Sequence, residues 1–173
     1  MQTASDLLGV PVPSDAPGFI LALGAHVAAG ITSVLAGATA AVARKRQGVH
    51  TRAGLVYWWG LFWVFASSVV MSAMRWPHDI HLLVVGTLAF AGGTTGFVAR
   101  LKRWPNWRSL HIVSMGASYV LLLTGFYVDN GPHLPGWRHL PAFMFWILPA
   151  AIGTPIIVRA LRRDQTAARQ PRA

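Results

Sequence analysis

The sequence predicts an all-α polytopic membrane protein, with five transmembrane helices of which helices 1–4 form an antiparallel four-helix bundle. Two observations carry that expectation. Hydrophobic residues make up 54% of the 173 positions and charged residues only 12%, about half the charge of an ordinary soluble domain. The apolar residues also gather in five runs, each near the roughly 20 residues that cross the hydrocarbon core of a bilayer.

Helix 1 is expected over 19–43 and is dense in small residues, Gly24, Ala28, Gly30, Ser33, Gly37 and Ala40. Such a face suits close helix packing and equally a groove for a flat cofactor. Helix 2 is expected over 53–74, helix 3 over 80–99 and helix 4 over 109–128. Short loops between them favour antiparallel neighbours. The 129–141 loop is the longest and is rich in Gly and Pro. Helix 5, over 142–161, is expected to be short and interrupted by Pro149 and Pro155. The domain plan is a short extracytoplasmic tail over 1–18, one transmembrane domain over 19–161 and a disordered basic cytoplasmic tail over 162–173. The first 17 residues hold no Lys or Arg, so they lack the charged start of a secretory signal. The eight tryptophans lie mostly near helix ends, as an interfacial belt does.

Basic residues set the expected orientation. Arg44, Lys45, Arg46 and Arg52 lie at the helix 1–2 loop, Arg100, Lys102, Arg103 and Arg108 at the helix 3–4 loop, and Arg159, Arg162, Arg163, Arg169 and Arg172 at the C-terminus. Only Arg75 and Arg138 fall on the other side, together with Asp6, Asp15, Asp79 and Asp129. The N-terminus is therefore expected outside a bacterial inner membrane and the C-terminus in the cytoplasm.

Composition removes several function classes. The net charge of +10 comes from short clusters between apolar runs, so nucleic acid is not an expected partner; the lipid bilayer is. With no cysteine, thiolate clusters and covalent c-type haem are excluded. There is no Glu, none of the five Asp lies mid-span, and neither a nucleophile–base pair nor a phosphate-binding glycine loop is visible. Carboxylate proton relays are not expected.

Histidines are the remaining candidates, because ionisable groups within spans are costly and mark function. His26 precedes Arg44 by 18 residues and His81 precedes Arg100 by 19, which sets them ~27 and ~28 Å from the basic face. Helices 1 and 3 run the same way and are diagonal in an up-down bundle, so a haem with two axial imidazoles could span the gap. His50 and His111 offer an inner pair. Counted outward to Arg75 and Asp129, their heights differ by roughly 10 Å, which makes that pair the weaker one. Arg75 is the candidate for an outer haem propionate, and Arg52 or Arg108 for an inner one. Gly30 lies four residues after His26 on the same face, and that face is expected to point into the bundle.

The alternation of His26, His50, His81 and His111 over four successive helices, outer, inner, outer, inner, resembles the two-haem transmembrane cytochrome b superfamily. That resemblance covers about residues 24–125. It implies one or two non-covalent haems b, ligated by His26 with His81 and by His50 with His111, and electron transfer within or across the membrane, with a quinone or a redox protein as partner. The chain also resembles a family of small bacterial membrane proteins, through His26 with Gly30, Arg44-Lys45-Arg46, His50-x-Arg52-x-Gly54-x-x-Tyr57 and Arg108-x-x-His111.

Two other classes stay open. An outer-face copper or zinc centre would draw on His78, His81, His133 and His139, with Met71, Met74 and Met144 toward the same side. An accessory or assembly subunit of a larger membrane complex would use helices 1 and 5 as docking faces and carry no chemistry of its own.

Overall fold

The computed structural model describes residues 16–44 and 48–169, with side chains to 167, and the backbone of 6–7 and 10–11. Residues 45–47 and 170–173 and most of 1–15 lie outside the described residues, so the expected tails at 1–18 and 162–173 are seen only in part. Five long helices follow in order: α1 Pro17–Val42, α2 Val49–Met74, α3 Ile80–Lys102, α4 Trp107–Asn130 and α5 Ala142–Arg169. A 3-10 turn, Gly131–His133, follows α4, and a two-residue antiparallel ladder joins β1 (Asp6–Leu7) to β2 (Val10–Pro11) ahead of α1.

All five helices are long and apolar enough to cross a membrane. Their side chains are distributed as a lipid environment demands. Leu21 is 77% exposed, Leu35 64% and Val42 86%, whereas Ser33 and Ser118 are fully buried and Ser67, Ser68, Ser72 and Thr124 nearly so. Water would not tolerate so much contiguous apolar surface; hydrocarbon does, provided polar groups find partners inside. Among the described residues no buried side-chain nitrogen or oxygen lacks one. Ser33, Ser68 and Thr124 each donate to the carbonyl four residues back.

Helix α1 packs on α2, α2 on α3, α3 on α4, and α4 returns to α1, so α1–α4 close a square and α5 lies against α4. The centre is filled by Ala36, Tyr57, Leu61, Val64, Ala89 and Leu122. Glycines stand where helices approach too closely for a side chain. A Cβ at Gly37 would lie 2.5 Å from the Tyr119 ring and 3.1 Å from Tyr57, and one at Gly96 would lie 2.8 Å from Met115. The face of α1 that carries His26 does turn to the bundle, with His26 on α2 serines and Gly37 under Tyr119, but Gly30 itself is not tightly packed: a Cβ there meets nothing within 4 Å. The tight stretch of α1 is further along, at Gly37.

Helix bounds differ from expectation in two informative places. Helix α2 begins a turn early, at Val49, behind Gly48 at φ 127°, a value that L side chains rarely adopt. This brings His50 and Arg52 into its first turn. Helix α5 is the longest of the five at 28 residues and passes through Pro149 and Pro155. Close support from α4 accompanies them, with Ile157 packed on Gly116 and Gly153 on Val120; neighbouring helices make interior proline tolerable in a membrane span. Beyond Leu161 the expected disordered tail continues as helix to Arg169, through Arg, Gln and Ala, which are strong helix formers.

The glycine geometry has a direct test. Gly37→Leu should lower stability by about 1–3 kcal/mol through overpacking, read as a lower melting temperature in detergent. Gly30→Leu should leave the melting temperature unchanged, and an equal loss from both would contradict the packing described.

Candidate functional site at the basic end

The site forms where α1 and α3 end and α2 and α4 begin. His50, in the first turn of α2, donates from Nδ1 to Ala40 O, near the end of α1, at 2.8 Å. Across the square, His111 in the first turn of α4 donates from Nδ1 to Gly96 O of α3 at 2.9 Å. A carbonyl can only accept, so Nδ1 carries a proton in both rings.

The two rings face across the α2–α4 diagonal, with centroids 6.3 Å apart and planes at 82°. The height difference expected for this pair is absent. Helices α2 and α4 run parallel at a constant offset: His50 opposes His111, Tyr57 bonds Ser118 61 residues on, and Leu61 and Leu122 share the core at the same offset. Counting outward to Arg75 and Asp129 misled because α2 continues to Met74, whereas α4 ends at Asn130 and passes into a 3-10 turn. The far ends are uneven; the near ends are level.

Seven residues past the histidines, ~10 Å deeper by helical rise, Tyr57 Oη and Ser118 Oγ lie 2.7 Å apart. Tyr57 is 2% exposed. Beside it Tyr119 Oη donates to Val34 O of α1 at 3.0 Å. These hydroxyls close the bundle beneath the imidazoles. Neither residue was a sequence candidate as a structural clasp, although the equal spacing, Tyr57 after His50 and Ser118 after His111, was there to find.

Of the basic residues nearby, Arg100 donates from Nη2 to Thr51 Oγ1 at 3.2 Å and so stands next to His50. Arg52 is exposed. Arg108 is turned to α5, with Nη1 3.8 Å from Asp164 Oδ1. At the opposite end Arg75 is paired with Asp79 at 2.8 Å and lies 6.0 Å from the Phe19 ring centre.

His26 is arranged differently. Its Nδ1 lies 3.1 Å from Ser67 Oγ and 3.4 Å from Ser68 Oγ on α2. Both serine hydroxyls already donate to backbone carbonyls, Ser67 to Trp63 O and Ser68 to Val64 O, so His26 Nδ1 is the donor to them. His81 is exposed, its ring centroid 6.2 Å from that of Trp146 on α5. No ring contact joins His26 to His81; one is turned to α2 and the other to α5. His78, His133 and His139 are exposed, and Arg138 Nε donates to His139 Nε2 at 3.3 Å. Among the described residues no group of three or more His, Cys, Asp or Glu is placed to hold a metal ion. The outer copper or zinc centre thus has no assembled donor set there.

Compared with protein-family models, curated proteins and solved structures, the chain matches none.

The clasp makes a stability prediction. Tyr57→Phe keeps the ring but removes the bond to Ser118, and should destabilise the bundle by about 0.5–2 kcal/mol. Thermal denaturation in detergent reads this, and a melting temperature equal to that of the parent would remove Tyr57–Ser118 as a clasp.

Proposed function

We propose that the protein is a membrane electron carrier that holds haem b between His50 and His111. The observation that carries this reading is the level, diagonal imidazole pair with both Nδ1–H groups committed to backbone carbonyls. Metal-binding histidines are oriented in this way, the second nitrogen fixing the tautomer and raising the basicity of the first.

The spacing supports a shared ligand between the two rings. The ring centroids lie 6.3 Å apart, a spacing at which one iron of a bound haem could be held by both imidazoles, with metal–nitrogen distances of about 2 Å. The absence of cysteine is consistent with a non-covalent haem.

When bound, haem b supplies one-electron chemistry between ferric and ferrous iron. The chain's own contribution would be to hold the orientation of both imidazoles through Ala40 and Gly96, with Arg100, bonded to Thr51 beside His50, as a cationic partner for a carboxylate of the group. The Tyr57–Ser118 clasp keeps α2 and α4 at a fixed separation beneath it. His26 and His81, the expected outer ligands, have neither the facing arrangement nor the carbonyl-bound Nδ1, so the proposal assigns one haem and puts it at the basic end.

In this reading the protein lies in a bacterial cytoplasmic membrane, N-terminus outside and C-terminus inside. Thirteen of the fifteen basic residues then fall on the cytoplasmic side. A cytoplasmic reporter fused after Ala173 should be active, and a periplasmic reporter active at that position would invert the assignment.

The decisive experiment is an optical spectrum of the purified protein, oxidised and then reduced with dithionite. A haem b spectrum is expected. His50→Ala and His111→Ala should each abolish it, while His26→Ala and His81→Ala should leave it intact. A colourless protein that carries zinc or copper would replace haem by a metal ion alone, and a colourless, metal-free protein would support the accessory-subunit reading.

A further inference from the structure

Helix α5 carries a second feature that electron transfer does not use. Its side toward the bundle is defined by contacts: Gly153 against Val120, Ile157 against Gly116, and Asp164 toward Arg108. By helical periodicity the residues that recur together on the opposite side are Pro155, Arg159, Arg162 and Thr166, with Arg163 on the adjoining flank. These residues, with Val158 and Ala167, line a shallow groove along α5 that is open to the surroundings.

Three properties of this groove point to one kind of ligand. Its polar part is cationic, with three guanidiniums within two turns, and among the described residues none of the three is in an ion pair. The only acid in this part of the chain, Asp164, is turned away toward α4. Finally, the groove crosses a chemical boundary. From Ala142 to Val158 the helix holds no charged residue, and the charges begin at Arg159. A ligand filling it would carry an anionic head against the arginines and apolar chains along Pro155 and Val158. Because this side faces away from the bundle, the ligand comes from the surroundings of the protein.

We propose that the Arg159–Arg162–Arg163 groove is a binding site for the headgroup of an anionic phospholipid. The guanidinium fork matches phosphate oxygens in pairs of parallel hydrogen bonds, which a lysine cannot reproduce. The other basic clusters lie at helix ends and loops, and some are already engaged: Arg103 covers the Trp107 ring at 4.5 Å, Arg100 bonds Thr51 and Arg108 reaches Asp164. The α5 groove is where several unengaged arginines converge beside apolar surface.

The test uses the full-length protein in detergent micelles, titrated separately with dioleoyl-phosphatidylglycerol, dioleoyl-phosphatidylcholine and inorganic phosphate. Bound adducts are counted by native mass spectrometry. Phosphatidylglycerol should bind at least tenfold more tightly than phosphatidylcholine. Each guanidinium near the headgroup should contribute about fivefold, so Arg159→Ala combined with Arg163→Ala should lower phosphatidylglycerol affinity roughly 25-fold, while Arg103→Ala should leave it unchanged. Should the double variant not fold, the parent protein in about 1 M salt, where screening acts within roughly 3 Å, should lose most of its preference. Equal binding of the two lipids, a preference kept by the double variant, or a preference undiminished by salt would each overturn the proposal. Displacement of the lipid by an equal concentration of inorganic phosphate would make the groove a free-anion site and overturn the lipid assignment. None of these readouts depends on haem.

Discussion

The hydrogen bond between Tyr57 and Ser118 is the contact on which the rest of the arrangement depends. Square four-helix packing leaves the diagonals open, and a bilayer offers no hydrophobic drive to close them, because lipid chains are as apolar as the side chains they would replace. A polar contact in the centre is one of the few forces that still discriminates. The 2.7 Å bond joins α2 to α4 in the middle of the bundle, and Leu61 and Leu122 fill the next layer. With that diagonal set, the same offset along two parallel helices brings His50 level with His111 two turns away. The site is thus a consequence of register, set from below by a hydroxyl pair.

The bundle holds its polar groups on the inside by backbone carbonyls more than by one another. Ser33, Ser67, Ser68, Thr124, Tyr119, His50 and His111 each direct a hydrogen to a main-chain oxygen. At Ala40 and Gly96 the receiving carbonyl belongs to the helix next to the one that carries the histidine, so each bond also ties two helices together. Close approach of backbones makes this feasible, and the glycines at 37, 60, 93 and 96 mark where it occurs, since a Cβ at each would enter a neighbour's side chain.

The helices were legible in the sequence because the signal for a membrane span is local: an apolar run of sufficient length, ended by charge or proline. The five spans and the four-helix bundle are as the composition predicts. Tight packing was not legible. Gly30 and Gly37 share one face of α1, so periodicity does not say which of them a neighbour presses against; only the position of Tyr119 decides it. Heights were legible only where the ends chosen as markers are level, which holds at the starts of α2 and α4 and fails at Arg75 and Asp129. The prolines of α5 read as breaks because the support that α4 gives them is a tertiary contact.

The commitment of Nδ1 in His26, His50 and His111 bears on where a proton can go. A histidine passes protons along a chain by accepting on one nitrogen and releasing from the other. His50 and His111 hold Nδ1–H against carbonyl oxygens, and His26 holds it against serines whose own hydrogens are directed to backbone. An amide oxygen does not take the proton on and pass it further. On the Nδ1 side, then, none of the three rings faces an acceptor that would relay a proton onward.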